Sequence, residues 1–298
     1  MKRILIDIGS STIKVYSVQN EQLLLLDSHS VLFKNGFDPV RGISEDSKNE
    51  LFKYIKEIQK KNKKVSIKIY ATSIFRKFAV KTKKEFIKEF NNLTKLNFNI
   101  ISQNEENKYL QLALADKYIG KEPYILINIG GGSTELVVMK GKKAIERINI
   151  DLGVGTILSK YPEINKSKSG TPIVNVIKYI NKLLPTIKSK VSLAFYSGGE
   201  LRYMKLAKYN LTKNTIFIDN DHPQIISFTD FQKRNKEIFS KVRLKELESL
   251  MPENPTWMHG ARACSAIAEA ICKKYNVKTI VPSNSNLIDG VVRKEFNF

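Results

Sequence analysis

The chain has 298 residues, of which 42% are hydrophobic and 27% are charged, which is enough apolar material for about two globular domains. It carries 50 Lys and Arg against 29 Asp and Glu, a formal net charge of +21, and this charge predicts an acidic substrate or partner. The sequence has no zinc-finger or RNP motif, so specific binding to nucleic acid is not expected.

The N-terminal segment MKRILIDIGSST is too polar for a signal peptide, because its apolar stretch ends at Asp7. No later segment approaches the roughly 18 uninterrupted apolar residues of a membrane span. We therefore expect a cytoplasmic protein with no membrane association. The two cysteines and three histidines show no metal-ligand spacing.

The first predicted element is a hairpin, ILIDIGSSTIKVYSV, whose turn is made of small residues and whose second strand leads to a charged turn at Asn20 and Glu21. A helix is predicted to begin near Ser44, because acidic residues follow in its first turn. A strand (KVSIKIYATS) and a helix (FRKFAVKTKKEFIKEFNN) come next. The segment FNIISQNEENKYLQLALADKYI then predicts strand, turn and helix, which completes an α/β domain with a mixed sheet.

The breaker cluster GKEP at residues 120–123 marks the predicted domain boundary, so the domains are expected to span residues 1–120 and 121–298. Directly after it, ILINIGGGSTELVVMK repeats the first hairpin with Ile125 in the place of Ile4. The second copy has one extra residue before its Ser-Thr pair. Chance similarity is the alternative, but the repeat favours a duplicated domain.

The rest of the chain alternates helices and strands. ARACSAIAEAICKKY predicts a helix that carries both cysteines as core thiols, and YSGGE is a further glycine turn. The segment VKTIVPSNSNLIDGVVRKEF predicts a last strand, a polar loop and a closing helix.

The two hairpin turns have the composition of phosphate-binding loops. Backbone N–H groups and Ser or Thr hydroxyls donate to an anion without the entropy cost of long side chains. Asp7 and Glu135, at the edges of the turns, would repel a bare phosphate but suit a divalent cation that bridges it. Together these features predict metal-assisted phosphate chemistry.

Six segments resemble the exopolyphosphatase and guanosine pentaphosphate phosphatase (Ppx/GppA) family of the actin-like ATPase superfamily. They are, in the order of the family, DIGSST, ATSIFRKFA, ISQNEENKYL, IGGGSTEL, LGVGT and YSGGE. The resemblance covers the whole chain and implies an α/β fold of two duplicated actin-like (ribonuclease H-like) domains with an interdomain cleft. It also implies Mg²⁺-dependent removal of the terminal phosphate of polyphosphate, or of the 5′ γ-phosphate of pppGpp. Dimers are common in the family, so a homodimer is an expectation.

The resemblance assigns roles residue by residue. Glu106 matches the catalytic base, which orients and deprotonates the attacking water. Asp7, Glu135 and Asn128 are the expected metal ligands. The expected phosphate-binding residues are Asp7, Gly9, Ser10, Ser11, Arg76, Gly130, Gly131, Gly132, Ser133 and Thr134.

The largest departure from the family pattern is Asn128, where the family has aspartate. A neutral amide oxygen binds Mg²⁺ less strongly than a carboxylate does. The alternative function is therefore a catalytically weakened protein that binds or senses polyphosphate or (p)ppGpp. A third interpretation, an ATP-using kinase of the same superfamily, rests only on YSGGE, and no sugar-site motif accompanies it.

Overall fold

The computed structural model describes residues 2–19, 22–31, 33–118 and 120–296. The predicted charged turn at Asn20 and Glu21 lies outside these residues. The chain forms two compact units, which are described separately below. The N-terminal unit comprises Met1–Tyr109 together with Val291–Phe298, and the C-terminal unit comprises Leu110–Gly290.

The N-terminal unit is built on a five-stranded mixed sheet with the order β3-β2-β1-β4-β5. The first three strands are antiparallel neighbours, whereas β1, β4 and β5 run parallel. The strands are β1 (Arg3–Ile8), β2 (Thr12–Gln19), β3 (Gln22–Ser30), β4 (Ser66–Ala71) and β5 (Phe98–Ile100).

Three helices accompany this sheet, namely α1 (Glu45–Lys61), α2 (Val80–Thr94) and α3 (Gln103–Ala115). Helix α1 begins where the sequence predicts, because the side chain of Ser44 accepts the N–H of Ser47 at 3.3 Å and caps the first turn. Its apolar face packs with α2 in a core rich in phenylalanine, which includes Phe52, Phe75 and Phe90.

The helix predicted over FRKFAVKTKKEFIKEFNN is wrong in its first part. Ser73–Lys77 forms a separate 3₁₀ turn, and α2 begins only at Val80. The break occurs because Phe78 is extended and the next residue donates its backbone N–H to the carbonyl of Pro39 at 2.7 Å. Arg76 therefore lies in a short turn at the end of β4 and not on a long helix.

The C-terminal unit contains a seven-stranded sheet with the order β10-β11-β12-β9-β6-β7-β8. Its strands are β6 (Tyr124–Ile129), β7 (Thr134–Lys140), β8 (Lys143–Ile150), β9 (Leu193–Tyr196), β10 (Thr212–Lys213), β11 (Gln224–Ser227) and β12 (Thr279–Pro282). Strands β8, β7, β6, β9 and β12 repeat the order and directions of β3, β2, β1, β4 and β5. The shared topology confirms the duplication inferred from the two hairpins.

The remaining helices are α4 (Val154–Lys160), α5 (Ile173–Leu183), α6 (Glu200–Leu206), α7 (Phe228–Ser240), α8 (Leu244–Glu248), α9 (Ala261–Lys274) and α10 (Leu287–Phe296). The Ala-rich α9 is buried along almost its whole length and packs against α5 and α7. It carries both cysteines as free thiols, with Cys272 buried and Cys264 half-buried.

The division into units does not coincide with the predicted boundary after residue 120. That boundary lies between α3 and β6, whereas the division by contacts falls within α3. The end of α10 also belongs to the N-terminal unit, where Glu295 accepts a hydrogen bond from Tyr70 at 2.5 Å. No helix in the described part of the chain is long and apolar enough to cross a membrane.

Candidate active site

The turn of the first hairpin joins β1 to β2 and contains three of the predicted phosphate-binding residues. Gly9 donates its backbone N–H to the carbonyl of Thr12 at 2.9 Å, which closes the turn. Ser10 is buried, and the carbonyl of Ser11 accepts the N–H of Val31 at 3.1 Å. The turn is thus anchored on both sides by backbone hydrogen bonds.

Asp7 lies on β1 just before this turn and is paired across the strands with Lys14. The side chain is partly buried, and loss of water raises the pKa of Asp7 to about 6, although the ammonium of Lys14 offsets part of the rise. A desolvated carboxyl group is one that an additional cation would stabilise in its ionised form.

The second turn has the same length as the first. Gly130 donates its N–H to the carbonyl of Ser133 at 2.8 Å, as Gly9 does to Thr12. Each turn has four residues between its paired strand ends. The extra residue predicted for the second copy is therefore wrong, because Thr12, and not Ser11, occupies the position of Ser133.

Glu135 and Asn128 face each other across β6 and β7, and Glu135 is almost fully buried. The amide Nδ2 of Asn128 donates to Oε2 of Glu135 at 2.8 Å, and the hydroxyl of Ser133 donates to Oε1 at 2.7 Å. The hydroxyl of Ser197 in turn donates to Oδ1 of Asn128 at 2.9 Å. Neutral protein donors thus stabilise both carboxylate oxygens.

The hydroxyls of the second turn are engaged within the protein. Thr134 is fully buried and donates to the carbonyl of Leu152 at 2.6 Å, while Ser133 donates to Glu135. Both hydroxyl hydrogens are therefore used internally. A phosphate bound at this turn would depend on backbone N–H groups more than on these side chains.

The LGVGT segment, residues 152–156, is hydrogen-bonded to the glycine turn of the second hairpin. The amides after its first glycine donate to the carbonyls of Gly130 and Gly131 at 3.0 and 2.8 Å. A Cβ atom on Gly153 would lie only 2.5 Å from the backbone nitrogen of Gly132. Glycine is therefore required at position 153 by the close approach of two backbone segments.

The two glutamates of ISQNEEN have different environments. Glu105 is exposed, and its carboxylate accepts the backbone N–H of Ser102 at 2.8 Å while its own N–H donates to the hydroxyl of Ser102 at 3.2 Å. This reciprocal pair is a capping box for α3. The backbone N–H of Ser102 and then its hydroxyl lower the pKa of Glu105.

Glu106 is 7% exposed and accepts a hydrogen bond from Nη1 of Arg76 at 2.5 Å. The structure thus pairs Arg76, a predicted phosphate-binding residue, with the predicted base, which lies 30 positions later in the sequence. A guanidinium beside a carboxylate stabilises the ionised form, which is the form that a general base requires. The side-chain Nε2 of Gln103 also donates to Oε2 of Glu106, at 3.4 Å.

Two residues gain a role that the sequence did not assign to them. Gly153 shapes the second turn, and Ser197 holds the amide of Asn128 in one orientation. Both belong to motifs that the sequence analysis noted, LGVGT and YSGGE. Spacing along the chain could not show which backbone or side chain each motif contacts.

The available donors fit Mg²⁺, which prefers oxygen ligands and usually takes one or two protein carboxylates with water and substrate oxygens. Asp7 and Glu135 supply one carboxylate in each unit. Among the described residues, no group of three or more His, Cys, Asp and Glu side chains could hold a metal ion by itself. Each carboxylate oxygen of Glu135 accepts a hydrogen bond, and each has a second lone pair.

Comparison with known proteins gives a consistent result. The model of the Ppx/GppA phosphatase family matches residues 13–296. The crystal structure of the Aquifex aeolicus member of that family is 21% identical, with a TM-score of 0.73, and the match covers 100% of this chain and 98% of that chain. An exopolyphosphatase from Cytophaga hutchinsonii is 14% identical, with a TM-score of 0.77 and the same coverage. These likenesses confirm the predicted α/β, actin-like fold class.

Proposed function

Because the chain belongs to the Ppx/GppA phosphatase family, we propose that it is a Mg²⁺-dependent phosphohydrolase. Its substrates are inorganic polyphosphate, from which it removes the terminal phosphate, or pppGpp, from which it removes the 5′ γ-phosphate. The observation that carries this proposal is the part-buried ion pair of Arg76 and Glu106, which joins two separate motifs in one place.

In the proposed reaction, a water molecule attacks the terminal phosphorus while the bridging P–O bond breaks. Glu106 accepts the proton of the water, and the electron pair of the broken bond leaves with the shortened polyphosphate or with ppGpp. Arg76 keeps Glu106 oriented and contributes positive charge for the phosphoryl oxygens. Bound Mg²⁺, held by Asp7 or Glu135, would neutralise charge on those oxygens.

The turns contribute binding more than chemistry. Their backbones are fixed by hydrogen bonds at Gly9 and Gly130, so their N–H groups lose little entropy when they bind an anion. The net charge of +21 adds a general attraction for acidic substrates. We place polyphosphate first among the substrates, because one neighbour in structure is an exopolyphosphatase. A homodimer remains part of the proposal and is tested by the mass in solution.

The experiment that tests the function is phosphate release from polyphosphate and from pppGpp, with and without Mg²⁺, by the native chain and by Glu106→Gln. We expect release that requires Mg²⁺ and that falls by about 10²- to 10⁴-fold in the variant, with substrate affinity nearly unchanged. The matched control is Glu105→Gln, which removes a carboxylate one residue away while glutamine keeps the cap of α3.

Equal losses in the two variants would refute the role of Glu106 as base. Binding of polyphosphate or ppGpp without release by the native chain would instead favour the sensing alternative that Asn128 suggests.

A further inference from the structure

A groove of about 430 Å³ lies on the N-terminal unit, along α1 and against the end of α2. Its basic lining consists of Lys53, Lys56 and Lys60, all exposed on one face of α1. The floor includes Phe52, and Leu93 of α2 contributes to the wall. None of these residues belongs to the candidate active site.

The three lysines are spaced like a ladder. Steps of three and four residues place the Cβ atoms of successive lysines about one helical turn, or roughly 5–6 Å, apart on the same face. From Lys53 to Lys60 the backbone advances about 10 Å. A linear polyanion lying along the helix could contact all three lysine side chains at the spacing that the backbone sets.

The ladder lacks the neutralisation that α1 has elsewhere. Near its start, Lys48 forms ion pairs with Glu45 at 2.9 Å and with Glu89 at 3.2 Å. For Lys53, Lys56 and Lys60, in contrast, no carboxylate of the described residues lies within 4 Å. Among the described residues that line the groove, Glu57 is the one acidic side chain, so three cations face one anion there.

Like charges at these spacings repel one another and destabilise an isolated helix. A bound polyanion would relieve that repulsion along the whole ladder. The lining also favours polyphosphate over a single-stranded nucleic acid. Proteins bind the bases of single strands by stacking them on aromatic side chains, and the aromatic residue of this groove, Phe52, is only 6% exposed.

We propose that this lysine groove is a second binding site for polyphosphate, distinct from the candidate active site, which holds the body of a long chain. The proposal rests on the proposed function for the identity of its ligand. It makes a direct prediction about chain length. Long polyphosphate should depend on the groove, whereas tripolyphosphate, which is too short to occupy two sites, should not.

The test compares Lys53→Gln/Lys56→Gln/Lys60→Gln with a control that removes three exposed lysines within and just after α7, Lys233→Gln/Lys236→Gln/Lys241→Gln. Both variants lose the same charge. The first measurement is equilibrium binding of end-labelled long polyphosphate to the full chain without Mg²⁺. We expect the groove variant to bind about tenfold more weakly at low salt, and the control to bind within about twofold of the native chain.

The salt dependence provides a second reading of the same contacts. Loss of three phosphate contacts should reduce the slope of log affinity against log salt by about two. The third measurement is the rate of hydrolysis. For long chains the KM should rise in the groove variant with kcat unchanged, while tripolyphosphate should be hydrolysed as by the native chain.

Three results would overturn the inference: no change in the groove variant, equal weakening in both variants, or a larger loss of single-stranded RNA binding than of polyphosphate binding. The binding measurement does not need hydrolysis. Suppose that the native chain releases no phosphate, and that the groove variant binds polyphosphate more weakly than both the native chain and the control variant. The proposed reaction is then refuted, whereas the second binding site is supported.

Discussion

The glutamate of the YSGGE turn, Glu200, gives a prediction whose size follows from the structure. It is 6% exposed at the start of α6, and the groups near its carboxyl are the thiol of Cys264, at 3.6 Å, and Tyr196, which hydrogen-bonds that thiol at 3.0 Å. Burial raises the pKa of Glu200 to about 8 from 4.5, and in the part of the chain that the structure describes no cation opposes this rise.

The sign of the effect on stability follows from proton binding. Between pH 4.5 and about 8 the folded chain holds a proton on Glu200 that the unfolded chain has lost, so the free energy of unfolding falls as pH rises. The rise of the Glu200 pKa from 4.5 to about 8 corresponds to at most about 5 kcal/mol of the free energy of unfolding. Glu200→Gln removes this pH-dependent contribution to the free energy of unfolding, because the amide is neutral at every pH and has nearly the same shape as the carboxyl group.

We expect Glu200→Gln to be more stable than the native chain at high pH, with the difference growing by about 4 kcal/mol between pH 5 and pH 9. Burial also raises the pKa of Cys264 and of Tyr196 well above their ordinary values, so these neighbours stay neutral at pH 9.

Urea unfolding at pH 5, 7 and 9, followed by tryptophan fluorescence, measures the effect. The single tryptophan, Trp257, lies next to Gly199 and therefore reports on this part of the C-terminal unit. Glu122→Gln, which changes an exposed glutamate of the same unit, is the control. A stability difference that is the same at pH 5 and pH 9 would show that Glu200 is not protonated in the folded chain.

Two further variants probe the second turn. Asn128→Asp should lower the Mg²⁺ concentration at half-maximal phosphate release, because it replaces the Nδ2 donor to Glu135 by a second carboxylate. An unchanged or higher Mg²⁺ concentration would show that residue 128 does not limit metal binding. Gly153→Ala should lower phosphate release at least tenfold and destabilise the C-terminal unit, since its Cβ would lie 2.5 Å from the backbone nitrogen of Gly132. Normal activity and stability of this variant would mean that the second turn can shift without loss of either.

The elements that the sequence predicted well are those set by local patterns. The hairpins are predicted by alternating apolar residues on either side of a turn of small residues. The start of α1 is predicted by Ser44 and the acidic residues that follow it in the first turn. The start of α2 was missed because it depends on a backbone contact with Pro39, a residue distant in sequence. The return of α10 to the N-terminal unit likewise depends on a long-range contact between Glu295 and Tyr70.

The candidate site shows the same limit. The motifs predict the candidate residues, but the pairing of Arg76 with Glu106 depends on tertiary packing across 30 positions of the chain. The misplaced extra residue in the second turn has a different cause. Matching the Ser-Thr pairs of the two copies gives the wrong register. In the structure, Thr12 occupies the same position in the first turn as Ser133 does in the second.

With the correct register, the two hairpins can be compared position by position. Asp7 and Lys14 in the first correspond to Asn128 and Glu135 in the second, so each hairpin holds one carboxylate opposite one nitrogen donor, on opposite strands. In the second, the donor is hydrogen-bonded to the carboxylate at 2.8 Å. Two carboxylates at that distance would require a proton or a cation between them. Asn128 therefore places a neutral hydrogen-bond donor opposite Glu135, where an aspartate would place a second negative charge.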